Sequence, residues 1–118
     1  MSTSMEQRIL ALERAAHARR LERAGCDLVR QKHPTAVAAL IEGCDPRVDW
    51  VRLDRLLKHL RRVGPKWQEV IVAATGLRDL RRRVRDLGPC ERRVLATAIR
   101  ATTQRVGTAA DGSRHDGR

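Results

Sequence analysis

Two helices joined by a sharp turn are predicted by residues 53–71, Leu-Asp-Arg-Leu-Leu-Lys-His-Leu-Arg-Arg-Val-Gly-Pro-Lys-Trp-Gln-Glu-Val-Ile. Leucine recurs at helical spacing at positions 53, 56, 57 and 60, which gives the first helix one apolar face. We expect Gly64 to end this helix in the left-handed region that other residues resist. Pro65 suits the first position of the next helix, where a free N–H would have no partner in any case.

The start of that second helix is a predicted anion site. The backbone N–H groups after Pro65 have no acceptor within the helix, and the positive end of the helix dipole lies beside them. With the ammonium of Lys66 added, Gly64, Pro65, Lys66 and Trp67 predict a phosphate contact. The alternative is an ordinary turn between two helices. For Trp67, contact with a ligand and burial against a neighbouring helix both stay open.

The charge of the chain is concentrated in one region. The 118 residues carry a net charge of +11 with an isoelectric point near 11.4, which indicates an anionic partner. Residues 52–105 hold fifteen basic and five acidic residues, a net charge of +10, whereas residues 1–51 hold only +1. A generally arginine-rich composition would not produce this asymmetry, so we interpret it as a binding surface.

The composition predicts an all-α fold in one small domain. Phe and Tyr are absent, so the core must be aliphatic, and strand-like runs are few. We expect an N-terminal helix over residues 1–32, a helical core over 33–102 and a disordered tail over 103–118. Within the core, Asp45-Pro46 predicts a helix that merges with residues 53–60. Trp50, in a crowded apolar stretch, is predicted to pack in the core.

Several classes of function are excluded by what the sequence lacks. No apolar run approaches the roughly 18 residues of a membrane span, and no signal peptide is evident, so we expect a cytoplasmic protein. The three cysteines have no paired spacing, and no catalytic constellation or phosphate loop is present. We expect no enzyme activity, metal, cofactor or small-molecule substrate, and a monomer.

A cluster of arginines about fifteen residues after the turn is the second predicted contact. Leu80, Val84 and Leu87 should hold this segment on the core and leave its arginines outside, at Arg81, Arg82, Arg83 and Arg85. The last helix is predicted to start at Pro89 and to point further arginines outward, at Arg92 and Arg93. The alternative is a solvated surface turn.

The chain resembles the actinobacterial type of integration host factor over residues 5–100. The resemblance rests on the opening Glu6-Gln7-Arg8 and the Ala- and Arg-rich run 11–20, on residues 53–64, and most specifically on residues 82–88, Arg-Arg-Val-Arg-Asp-Leu-Gly. The turn Gly64-Pro65-Lys66-Trp67 differs from the family's Gly-Lys with a second basic residue, as in a divergent paralogue or a phage-borne relative.

The resemblance implies a small helical bundle with a long N-terminal helix and a helix-two-turns-helix motif. It also implies a nucleoid-associated, architectural protein that binds double-stranded DNA with little sequence preference and affects DNA topology. Its contacts would be the Val63-Gly64 turn and the Arg82-Arg83-x-Arg85 block. The alternative is a basic helical protein that binds duplex RNA or the ribosome. The lack of aromatic residues for base stacking argues against single strands but not against duplex RNA.

Overall fold

The computed structural model describes the backbone of residues 2–116 and the side chains of residues 4–106, and within this part the chain is all-helical. There are five α-helices: α1 (Ser2–Gln31), α2 (Pro34–Glu42), α3 (Leu53–His59), α4 (Pro65–Thr75) and α5 (Pro89–Asp116). Short 3-10 turns lie at Pro46–Val48 and Val84–Asp86. The prediction of an all-α fold is confirmed, and α4 and α5 begin at the expected prolines, Pro65 and Pro89. Helix α2 also begins at a proline, Pro34.

Helix α1 passes through Gly25 without interruption, and this glycine is one of the places where α1 touches the rest of the protein. A Cβ atom at Gly25 would lie 2.4 Å from Cγ2 of Val51 and 2.9 Å from the carbonyl oxygen of Arg47. The missing side chain therefore lets α1 lie directly against the 3-10 turn. The first half of α1 extends beyond this contact, and its residues 4–14 are all exposed.

The segment after Asp45 departs from the prediction. Asp45 caps the next turn as expected, accepting a hydrogen bond from the N–H of Arg47 at 2.9 Å, but only the 3-10 turn Pro46–Val48 follows. No helix merges with α3, because residues 49–54 pair with residues 80–85 instead. Four backbone hydrogen bonds of 2.9–3.0 Å join these two segments, and we call this pairing the strap. In each pair the first residue donates its N–H to the carbonyl of the second: Leu53 to Arg82, Asp54 to Leu80, Val84 to Val51 and Arg85 to Asp49.

The strap has a consequence for both segments that it joins. The N–H groups of Leu53 and Asp54, which begin α3 and would otherwise lack partners, donate to loop carbonyls. The start of α3 is therefore closed to an anion. In return, the loop that carries the arginine cluster is fixed to α3.

The core lies where α2, α4 and α5 pack together with α3 and the end of α1. Its fully buried side chains are aliphatic, as the composition predicts, and the largest are Ile41, Leu53, Leu56, Ile71, Leu95 and Ile99. Val84 and Leu87 join this core, while Leu80 is only partly buried at its edge. The loop is thus anchored where we expected, although as a 3-10 turn and not as a helical turn.

The turn between α3 and α4 has a different geometry from the one predicted. Helix α3 ends at His59, and the left-handed residue is Arg62, with φ of 62°. Gly64 is extended, with φ of −77° and ψ of 176°, and serves as the N-cap of α4. Gly64 therefore adopts a backbone conformation that any residue could take. The left-handed conformation, which residues other than glycine resist, is adopted by Arg62 instead.

Helix α5 continues past Thr103, the point where we expected a disordered tail to begin, and runs to Asp116. Thr102 is buried, and the Thr103 hydroxyl donates to the Ile99 carbonyl at 2.7 Å. No proline interrupts this stretch, so each added residue gains one helical hydrogen bond.

Candidate nucleic-acid interface

Arg82 is held by the protein and is not the free cation that we predicted. Its guanidinium makes a two-pronged contact with Glu91, at 3.0 and 3.1 Å, and donates to the carbonyl of Asp86 at 2.8 Å. The pKa of Glu91 is lowered, first by these bonds from Arg82 and then by the N–H of Gly88. Arg82 therefore joins the loop to the first turn of α5, and its charge is largely balanced.

Arg83 and Arg85 both lie over Trp50. Their guanidinium carbons are 5.5 and 4.3 Å from the centre of the indole ring. Trp50 is half-buried and lies outside the aliphatic core, so the prediction that it packs in the core is wrong. A cation over an indole face is attracted by the ring quadrupole, and this contact orients two arginines of the cluster toward one surface.

The remaining predicted arginines divide into exposed and buried ones. Arg81, Arg85 and Arg93 are exposed. Arg92 is only 7 % exposed, so the prediction that it points outward is wrong. Its guanidinium donates to the carbonyls of Leu87 and Ile41 and to the carboxylate of Asp49, all at 3.3 Å. These acceptors lie outside α5, so the spacing of residues within α5 could not indicate that Arg92 is buried.

The turn residues lie at the start of α4 as predicted. No side chain caps this helix start, and the N–H groups of Lys66 and Trp67 have no protein acceptor among the described residues. The N–H of Gln68, in contrast, donates to the carbonyl of Gly64 at 3.0 Å. Lys66 is exposed beside Gly64 and Pro65, whereas Trp67 is partly buried and packs against the core. Glu69, exposed one turn later, offsets part of this positive charge.

Glu22 connects the arginine cluster to the locally basic stretch of α1 at residues 15–23. This carboxylate, only 8 % exposed as a residue, lies 3.0 Å from Arg55 and 3.9 Å from Arg83. Arg55 belongs to α3, and beyond it α1 presents Arg19 and Arg23, both exposed. The structure thus joins the loop, α3 and the middle of α1 into one basic strip.

We define the basic strip by the residues that line it, from the loop to α1: Arg85, Arg83, Arg55, Arg23 and Arg19. Arg81 is exposed in the same loop, two positions before Arg83. Spacing alone could have indicated its α1 portion, because positions 19 and 23 share a helical face. The mixed charge of α1 predicts a mainly solvated helix face, although its locally basic stretch at residues 15–23 left a position beside a nucleic acid open. Glu22 faces arginines that lie 33 and 61 positions later in the chain.

Elsewhere on the described surface, several arginines are paired with acids. Arg47 binds Asp45, and Arg100 binds Glu42 at 2.6 Å on the side formed by α2 and α5. Arg19, Arg23, Arg81 and Arg85 make no ion pair with any side chain of residues 4–106. Such unpaired guanidiniums are suited to phosphate oxygens, which accept two parallel hydrogen bonds from one arginine.

Neither a metal centre nor a membrane-spanning helix is found in the described part of the chain. Among these residues no three His, Cys, Asp or Glu side chains are grouped so that they could hold a metal ion. No helix within residues 2–116 is both long and apolar enough to cross a membrane. No protein-family model, curated protein or solved structure matches this chain.

Proposed function

We propose that this chain binds double-stranded DNA through the phosphate backbone, with little sequence preference, as an architectural protein of the nucleoid. One observation carries the proposal: Arg19, Arg23 and Arg85 lie along one basic strip without an ion pair to any described side chain, and Arg81 is exposed and equally unpaired in the same loop. Arginines that neutralise phosphates release condensed counterions, and this release supplies most of the free energy of sequence-independent binding.

The helix-two-turns-helix role belongs to the same proposal. In it, α3, the turn after His59 and α4 present Lys66 and the open start of α4 to one strand of the duplex, and the loop 77–88 contacts the backbone nearby. The strap between residues 49–54 and 80–85 supports this arrangement because it fixes the loop relative to α3. A rigid spacing between two contacts reduces the conformational entropy lost on binding.

The deciding experiment is a salt titration of duplex binding with Arg81→Ala/Arg85→Ala. If each arginine meets one phosphate, the plot of log affinity against log salt should flatten by about two units. The matched control is Arg47→Ala/Arg100→Ala, which removes the same charge from arginines that are already paired with acids. Its slope should stay within about half a unit of the unmodified chain.

Equal flattening in both double variants would mean that only the total charge matters, and it would refute the assignment to the strip. Duplex RNA is titrated in parallel under the same conditions. Tighter binding to duplex RNA than to duplex DNA would replace the proposal with the RNA alternative.

A further inference from the structure

A cavity of about 390 Å³ lies between α1 and α3, at the end of the basic strip farthest from the loop. Two rows of side chains face each other across it. Arg19, Arg23 and Arg30 follow one face of α1 at positions i, i+4 and i+11, and Arg55 and His59 follow one face of α3 at i and i+4. Donors therefore converge on one space from two helices.

The charge within this cavity is not balanced by the acids beside it. Asp27 forms an ion pair with Arg30, and Glu22 is shared between Arg55 and Arg83. Arg19 and Arg23 make no hydrogen bond or ion pair with any side chain that the structure describes. The cavity therefore keeps at least two guanidiniums without a partner.

His59 lies within this positive potential. Its pKa is lowered, first by burial and then by the nearby charges of Arg30, Lys58 and Arg55, with Asp27 acting weakly in the opposite direction. A bound anion would oppose these cationic contributions. The imidazole is thus a local reporter of occupancy, built into the wall of the cavity.

We propose that this cavity binds a phosphate group, held between the guanidiniums of α1 and that of Arg55. Tetrahedral phosphate oxygens accept hydrogen bonds from several directions, as two facing rows of arginines require. The phosphate belongs either to a nucleic-acid backbone or to a small free phosphate. Binding of a nucleic-acid phosphate here rests on the proposed function, because the cavity continues the basic strip. Binding of a small free phosphate does not depend on the proposed function.

The test follows the titration of the histidine rings by NMR in the full chain, first with inorganic pyrophosphate and then with a short DNA duplex. Binding should raise the titration midpoint of His59. His17 is the internal control, because it lies on α1 two residues from Arg19 and hence on another side of the helix. Equal shifts at both rings, or no shift at His59 with either probe, would overturn the proposal.

Arg19→Ala/Arg23→Ala should weaken pyrophosphate binding about tenfold or more, since it removes two charge-assisted contacts. Both residues are exposed, so the melting temperature should not change. Arg8→Ala/Arg14→Ala removes the same charge from exposed positions of α1 outside the cavity and should leave binding unchanged. Equal weakening by the two double variants would contradict a built cavity.

The two probes distinguish the source of the phosphate. A response of His59 to pyrophosphate alone assigns a free phosphate, and a response to the duplex assigns the backbone. If duplex binding depends on Arg81 and Arg85 while His59 never responds, the cavity proposal fails and the proposed function stands. If His59 responds to pyrophosphate while duplex binding does not depend on Arg81 and Arg85, the cavity proposal stands and the proposed function fails.

Discussion

Replacing Arg92 by Met should destabilise the protein strongly, although the sequence placed Arg92 on the surface. The buried guanidinium joins the end of α2, the strap and the start of α5 through three acceptors at 3.3 Å. Removing one partner of a buried pair costs about 3–5 kcal/mol. The long distances and the 28 % exposure of the Asp49 side chain reduce this, so we expect about 2–3 kcal/mol.

The effect should appear as a fall in melting temperature of about 8–12 °C for a chain of 118 residues, followed by circular dichroism. Met keeps the packing of the arginine stem, so the loss reports mainly on the polar contacts. The control is Arg93→Met, the same change at the next and exposed position, which should cost less than about 0.5 kcal/mol. If the two variants have similar stability, the buried role of Arg92 is refuted.

Gly25→Ala should destabilise by about 1–3 kcal/mol in urea denaturation, because its Cβ would clash with Val51 and the Arg47 carbonyl. Gly64→Ser should be neutral or stabilising by up to about 1 kcal/mol, since its Cβ meets nothing within 4 Å and Ser is a better N-cap. Hydrogen bonds from Arg47 lower the pKa of Asp45 from 3.8 to about 2. The stabilisation that Asp45→Asn removes should therefore be present above about pH 4 and disappear between about pH 4 and 2.

Each of these expectations has a result that contradicts it. Equal stability of the two glycine variants would mean that α1 does not rest on Gly25 as closely as the structure shows. A stability difference between the unmodified chain and Asp45→Asn that stays constant from pH 5 to about pH 2 would mean that Asp45 titrates alike in the folded and unfolded chains.

Local signals were enough to predict most of the helical framework. Pro65 and Pro89 each begin a helix as predicted, because proline fits the first turn. Gly76 ends α4 in the left-handed region with φ of 68°. The turn after α3 was mispredicted because residue type favoured Gly64 for the left-handed position, whereas Arg62 adopts it. Which residue of a turn takes that conformation depends on how the two helices pack.

The candidate site was less predictable than the fold, because the state of an arginine depends on its partners. The run at 81–85 was recognised, yet Arg82 is tied to Glu91, nine positions later, and Arg83 lies near Glu22, 61 positions earlier. Arg92 has its acid partner 43 positions earlier, at Asp49. Only the fold determines which arginines are left without acids.

Glu22 changes the expected energetics of the arginine cluster. Arginines so close together in the sequence would repel one another in the free protein if no acid lay beside them, and relief of that repulsion would contribute to binding. Glu22 instead lies between Arg55 and Arg83, and Glu91 balances Arg82, so the free protein already offsets much of the repulsion. Along the strip, the counterions available for release on binding are then those at its unpaired arginines. A triple replacement of Arg82, Arg83 and Arg85 by Ala should consequently lower the melting temperature, since it breaks the contacts of Arg82. It should also flatten the salt dependence by less than the three units that three free arginines would give.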